Sequence, residues 1–222
     1  MNKVYLFNRL RHLIFGEKFY KKLIFDWDKS FNRITIIQNI IDRNKFNSYL
    51  EIGCYNDDCF AKINVTKKIG VDPFMGGNVR MSSDDFFNIN KDKFDCIFID
   101  GLHTYEQVKK DIDNSLKSIN ENGVIIVHDC LPESIFEQAV PRSKRRFKGD
   151  SWKAIVEMRT RKNIDTYTCV VDEGLGVILK RANYNLLNIS VKDFKKLSFK
   201  DYYYNNKTYM NLISVKDLFK LI

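Results

Sequence analysis

Three prolines, ten glycines and three histidines are all that this 222-residue chain contains. So little proline and glycine excludes collagen-like and low-complexity architectures. No apolar run approaches the roughly 20 residues of a membrane-spanning helix. The first residues, MNKVYLFNRLRHLIF, are interrupted by Arg9 and Arg11 and lack a small-residue cleavage site, so no secretory signal is expected. The five cysteines, at positions 54, 59, 96, 130 and 169, form no framework. Cys54 and Cys59 have the wrong spacing for a zinc knuckle, and no histidine pair completes them. Reduced thiols and a cytoplasmic location are the expectation.

What the chain does have is a globular balance, with 44% hydrophobic, 29% charged and 14% aromatic residues. That suits one ordinary domain with small appendages. The formal charge of +9 comes from 37 Lys and Arg against 28 Asp and Glu. It raises nucleic acid, membrane surfaces and phosphorylated ligands as partners, or simply a lysine-rich composition.

Residues 1–47 read as a helical cap, with Val4, Phe7, Leu10 and Ile14 at three- and four-residue steps and Ile34, Ile37, Ile40 and Ile41 as a second stripe. Its basic first segment could lie on an anionic membrane surface. Strands are expected at 48–53, 67–72, 94–101 and 123–129, with a helix over 105–119 between the last two. Apolar strands separated by a helix of that length indicate parallel pairing, with both faces buried. A helix near 151–159 precedes two strands, 164–172 and 174–180, joined tightly at Glu173-Gly174. The fold class is therefore α/β, a Rossmann-like, doubly wound, mostly parallel sheet with a C-terminal antiparallel hairpin. Helices near 191–197 and 214–221 complete a tail. The division is a cap at 1–47, a sheet domain at 48–182 and a tail at 183–222.

In such sheets ligands bind beyond the carboxyl ends of the strands. Ionisable residues gather at each of these ends: Glu51 with Gly53 and Cys54, then Asp72, then Asp100 with His103, then His128 with Asp129. Asp72 lies about 20 residues beyond the first glycine turn, where a carboxylate can accept hydrogen bonds from ribose hydroxyls. The turn lacks the GxGxxG pattern that cradles a pyrophosphate. The ligand reads as a nucleoside without one, which fits S-adenosylmethionine and not NAD.

The segments YLEIGC, GVDP, GGNVRMSSDDFF, FDCIFIDGLHTYEQV, NGVIIVHDCLP and GDSWKAI, in that order over residues 48–180, resemble the class I S-adenosylmethionine-dependent methyltransferases, in particular a bacterial small-molecule group. The resemblance implies that Glu51, Gly53 and Cys54 form the first cofactor loop. It also implies that Asp72 holds the ribose, that Ser83 and Asp84 lie near the adenine, and that Asp100 lines the methyl end. Asn56, Asp57 and Asp58 stand where further glycines are common, and Asn or Asp can adopt left-handed turn geometry.

His103 is the candidate general base, with His128 the second choice. Related sugar methyltransferases suggest a divalent metal, Mg²⁺, at Asp100 and Asp129, beside His128. The basic loop PRSKRRFKGD (141–150) is placed to cover the acceptor, with Lys144, Arg145, Arg146 and Lys148 as phosphate or carboxylate binders. The expected activity is methyl transfer to a small polar acceptor, a hydroxyl of a sugar or glycan precursor, phosphorylated or nucleotide-linked. A nucleic-acid methyltransferase and a non-enzymatic membrane-surface or binding protein are the alternatives. A nucleic-acid partner is disfavoured by the absence of a reader domain, and a homodimer is left open.

Overall fold

The computed structural model describes residues 3–222. Helices α1 (Lys3–Phe15) and α2 (Arg33–Asn44) lead into β1 (Ser48–Ile52), β2 (Lys67–Val71), α3 (Ser83–Ile89), β3 (Phe94–Ile99), α4 (Tyr105–Ser118) and β4 (Ile119–Val127). Then come α5 (Ile135–Gln138), α6 (Trp152–Met158), β5 (Asp165–Cys169), β6 (Leu175–Leu179), α7 (Phe199–Met210), β7 (Leu212–Ile213) and α8 (Val215–Leu221). The seven strands form one sheet in the order β2-β1-β3-β4-β6-β5-β7. All neighbours pair in parallel except β6, which runs antiparallel to both β4 and β5.

The register explains why these strands read as continuous apolar runs. Leu50, Ile97, Ile125 and Ile178 lie side by side across β1, β3, β4 and β6, and all belong to one buried cluster. Their neighbours Tyr49, Cys96, Val124 and Leu179 form the matching row on the other face, in a second cluster. Alternate residues must point to opposite faces, so a sheet covered on both sides needs apolar residues at every position. Helix α4 covers the first face through Val108 and Ile112, and α2 covers the second through Ile36, Ile37, Ile40 and Ile41. All five cysteines are free and buried.

Three regions differ from the sequence expectation. Residues 16–32 are an extended strap with no helix. Phe25 packs singly into the core, the Trp27 indole N–H donates to Glu133 (3.1 Å), and Asp28 bridges to Val171. Helix α2 is built into the core beside the strands, so the sheet layer draws on residues before position 48. In the tail, the segment near 191–197 holds only a short 3₁₀ turn at Phe194–Lys196, while α7 was not foreseen. Helix α7 buries Phe199, Tyr202 and Met210, and the Tyr202 ring lies 4.6 Å from that of fully buried Trp152.

Candidate active site

The carboxyl ends of β1, β2 and β3 open into one cavity of about 580 Å³, which the β4-end residues His128 and Asp129 adjoin without lining. That is the range of small-molecule sites. Glu51, Gly53, Cys54, Asp72, Ser83, Asp84, Asp100 and His103 all line it, so the structure gathers these sequence candidates into one place. It adds wall residues that sequence reading missed: Arg33 from α2, Gln107 and Asp111 from α4, and Phe147 with Arg142 from the loop after α5.

The floor is the turn after β1. Gly53 has φ +87°, and a Cβ there would sit 2.5 Å from the carbonyl oxygen of Asp100. Only glycine allows β1 and β3 to deliver their loops so close together. Tyr55 and Asp57 are also left-handed, at φ 48° and 65°. Asp57 thus supplies one of the turn conformations that glycines would otherwise provide, and its carboxylate accepts from the Gly77 N–H (2.6 Å).

Asp72 ties two loops together. One carboxylate oxygen accepts from the Tyr55 N–H (3.0 Å), the other from Phe74 (2.8 Å) and Met75 (3.0 Å). Burial works against its charge, but these three N–H groups and Arg80 prevail and hold its pKa below the ordinary aspartate value. A carboxylate has about four acceptor positions. With three taken, roughly one is left for a ligand hydroxyl.

Glu51 behaves in the opposite way. It is 1% exposed, and burial pushes its pKa up to about 7 against the pull of the Tyr49 hydroxyl, which donates to it at 2.5 Å. Asp111, where burial again dominates, is raised to about 6. Gln107 bridges Ser83, Asp84 and Asp111 with its amide, and Lys110 holds Asp84 at 2.5 Å.

At the far end the two histidines differ in kind. The Nδ1 of His128 lies 3.0 Å from Asp100, and its Nε2 lies 3.0 Å from the carbonyl oxygen of Asp172. Burial disfavours its charge, yet Asp100 and Asp129 outweigh burial and raise its pKa well above the usual histidine value. His128 is therefore a buried imidazolium with both nitrogens engaged. It has no free nitrogen to take a proton, which removes it as an alternative base. Asp172 in turn caps α2 through the Arg33 N–H (2.6 Å) and pairs with the Arg33 side chain (3.3 Å).

His103 lines the cavity. Its Nε2 is 3.6 Å from both Asp100 and Asp129, longer than a hydrogen bond. Its backbone and that of Asp129 are left-handed, at φ 52° and 58°, which is strained for residues with side chains. The His103 carbonyl seats against Gly149, where a Cβ would lie 1.8 Å from it. His103, and not His128, completes a three-residue cluster with Asp100 and Asp129, whose ligand atoms lie within 4.8 Å of one another. Two carboxylates and an imidazole suit a softer cation than Mg²⁺. The set is a poor match for Mg²⁺.

The basic loop covers the cavity, but most of its cations turn away from it. Lys144 pairs with Glu137 (3.0 Å), Arg146 with Glu133 (2.5 Å) and Glu173 (2.7 Å), and buried Lys148 with Glu173 (2.6 Å). This corrects their assignment as phosphate binders. Arg142 is the loop cation that lines the cavity. It donates to the backbone carbonyls of Lys144 and Arg145 and stacks between the rings of Tyr5 (5.1 Å) and Phe147 (5.5 Å).

This sheet order, with the lone antiparallel strand inside it and an acidic cavity at the strand ends, is the class I methyltransferase architecture. Residues 37–130 match the family model of a methyltransferase domain. No curated protein sequence matches the chain. Among solved structures, the chain is similar to cofactor-bound Rv0187 from MTB, at 13% identity and TM-score 0.54 over 71% of this chain and 85% of that one. An O-methyltransferase from Bacillus cereus in complex with SAH matches at 11% identity and TM-score 0.50, over 81% and 92%. The O-methyltransferase TomG from Streptomyces achromogenes, in complex with SAM, matches at 11% and 0.50, over 82% and 91%. The fold is that of the class I methyltransferases, and residues 37–130 match a methyltransferase domain.

Proposed function

We propose that the protein transfers the methyl group of S-adenosylmethionine to a hydroxyl of a small polar acceptor, a sugar or glycan precursor being our reading of that acceptor. The observation that carries this is the single cavity into which Asp72, the Gly53 turn and His103 all open. Its cofactor half fits a nucleoside bearing an amino acid. Asp72 keeps an acceptor position for a ribose hydroxyl, Ser83 and Asp84 face the base, and Gly53 allows close approach to the backbone. When bound, the cofactor supplies an electrophilic methyl on a sulfonium. The protein positions the acceptor in line with it. His103 accepts the hydroxyl proton at Nε2, and Asp100 and Asp129 stabilise the imidazolium that results. Arg142 faces the acceptor end as a cation for a phosphorylated or carboxylated acceptor.

Calorimetric titration with S-adenosylmethionine tests the reading. Asp72→Asn should weaken binding by at least about tenfold, roughly 1.4 kcal/mol, because an amide cannot satisfy three N–H donors and a ribose hydroxyl together. Unchanged affinity in a variant with a normal thermal midpoint would remove Asp72 from the cofactor site.

Glu51 predicts a pH dependence. With a folded pKa of about 7, it is largely protonated on the acid side of neutrality in the free protein. The cofactor's ammonium and sulfonium favour its carboxylate, so binding expels a proton below about pH 7 and affinity rises as pH increases through that value. Titrations in buffers of different ionisation heat should show proton release at about pH 6 that fades by about pH 8. Absence of release at the lower pH would show that the cofactor does not sense Glu51.

A further inference from the structure

Helix α1 is amphipathic in the reverse of the usual sense. A polar stripe ties it to the body. The Asn8 amide donates to the Arg142 carbonyl (2.9 Å), and His12 Nε2 lies 3.1 Å from the Pro141 carbonyl. The Arg9 guanidinium lies over Phe136 (4.7 Å), and the Tyr5 ring lies under Arg142. Positions 5, 8, 9 and 12 share one helix face. The opposite face carries Leu6, Phe7, Leu10, Leu13 and Ile14, and no residue of the helix is buried. Phe7 is 68% and Ile14 64% exposed. A contiguous apolar face of this size on a folded protein marks an interaction surface.

Charge selects what covers it. Residues 3–16 contain no acidic side chain. Lys3 lies on the apolar face, one turn before Leu6 and Phe7, and Arg11 lies on its flank, one turn after Phe7. The first acid in the chain, Glu17, is already engaged, accepting from the N–H groups of Phe199 and Lys200 at 2.7 Å. A second copy of the helix would set like charges against each other with no carboxylate to pair them. An anionic surface meets both requirements, since the apolar side chains enter the acyl boundary and the cations meet the headgroups. We propose that the outer face of α1 docks the protein on an anionic phospholipid bilayer. Among the described residues no helix is long and apolar enough to cross a membrane, and this contact is peripheral. The helix rests on Pro141 and Arg142, so docking also places the acceptor end of the cavity beside the bilayer. That last consequence rests on the methyl-transfer reading, whereas the docking does not.

Flotation of the full chain with vesicles tests the proposal without reference to catalysis. Vesicles of phosphatidylglycerol and phosphatidylethanolamine should capture at least about tenfold more protein than phosphatidylcholine vesicles, and less as salt is raised. The Leu6→Glu/Leu10→Glu variant should lose roughly tenfold of that capture while keeping its thermal midpoint and its affinity for S-adenosylmethionine. The Lys3→Glu/Arg11→Glu variant, which leaves the apolar side chains in place, should lose the preference for anionic lipid. Equal capture by both vesicle types, or capture that survives both variants, overturns the proposal. So does a dimer in light scattering, without lipid, that dissociates in the Leu6→Glu/Leu10→Glu variant, because the face would then belong to a second copy.

Discussion

Replacing Lys148 by methionine should destabilise the protein by about 3 kcal/mol, which for a chain of this size lowers the thermal midpoint by roughly 10 °C. The Lys148 ammonium is fully buried. It is 2.6 Å from Glu173 and 3.6 Å from Glu137, donates to the Leu131 carbonyl at 2.8 Å, and lies 4.9 Å above the Trp27 ring. Methionine matches its length but leaves a carbonyl and two carboxylates facing an apolar side chain. Removing one partner of a buried pair generally costs more than the pair itself contributes. Lys144 and Arg146 still reach Glu137, and Arg146 still reaches Glu173, which keeps the loss at the low end of the usual range. Because Lys148 is the inner anchor of the loop that carries Arg142 and Phe147, that wall of the cavity should loosen as well. A thermal melt within about 2 °C of the unsubstituted protein would show that the cluster carries no net stability.

Replacing His103 by alanine should leave the affinity for S-adenosylmethionine within about twofold and lower turnover on a hydroxyl acceptor by roughly a hundred- to ten-thousandfold. His103 stands where the cavity meets Asp100 and Asp129, and no other histidine has a free nitrogen there. Its φ of 52° is held by the Gly149 contact, so the ring is aimed by the backbone and not by a side-chain hydrogen bond. The measurement is the rate of S-adenosylhomocysteine formation with an acceptor found by screening small hydroxyl compounds. Ordinary turnover in the variant would show that the acceptor loses its proton elsewhere.

The strand ends were legible because their signal is local. An apolar run that stops at an ionisable residue marks a buried strand reaching the surface, and the four such stops, at Glu51, Asp72, Asp100 and His128, all lie at the cavity or in direct contact with a residue that lines it. Residues that reach the site from remote segments left no such mark. Arg33 sits at the start of a helix whose sequence speaks only of Ile36, Ile37, Ile40 and Ile41. Its place in the wall is fixed by Asp172, which is 139 positions away. The loop over 141–150 was recognisable as a cover from its position. The direction of its cations was not, because Glu133, Glu137 and Glu173 have no periodic relation to Lys144, Arg146 and Lys148.

Helix α7 was hidden because FKDYYYNNKTYM mixes aromatics and asparagines without a clean apolar stripe. One signal did announce it. Ser198 and Asp201 form a capping box, with the Ser198 hydroxyl accepting from the Asp201 N–H at 3.0 Å. In residues 16–32 the side chains that reach the core, Phe19, Leu23, Phe25 and Trp27, do so from an extended backbone, which a helical reading of the whole segment overlooks.

The three left-handed residues Asp172, Glu173 and Gly174 between β5 and β6 form one turn with three attachments. Asp172 accepts from His128 and caps α2, Glu173 grips Lys148, and Gly174 packs where a Cβ would press on Leu131 at 2.5 Å. This turn works as the keystone of assembly. The inner walls of the cavity are encoded before residue 112, yet the anchor of its covering loop lies in a hairpin some sixty residues further along the chain. Contacts of such sequence separation form slowly because long loops must close first. A chain cut short of this hairpin would keep the inner walls of the cavity but lose the anchor of Lys148 and the tie that Asp172 makes to α2.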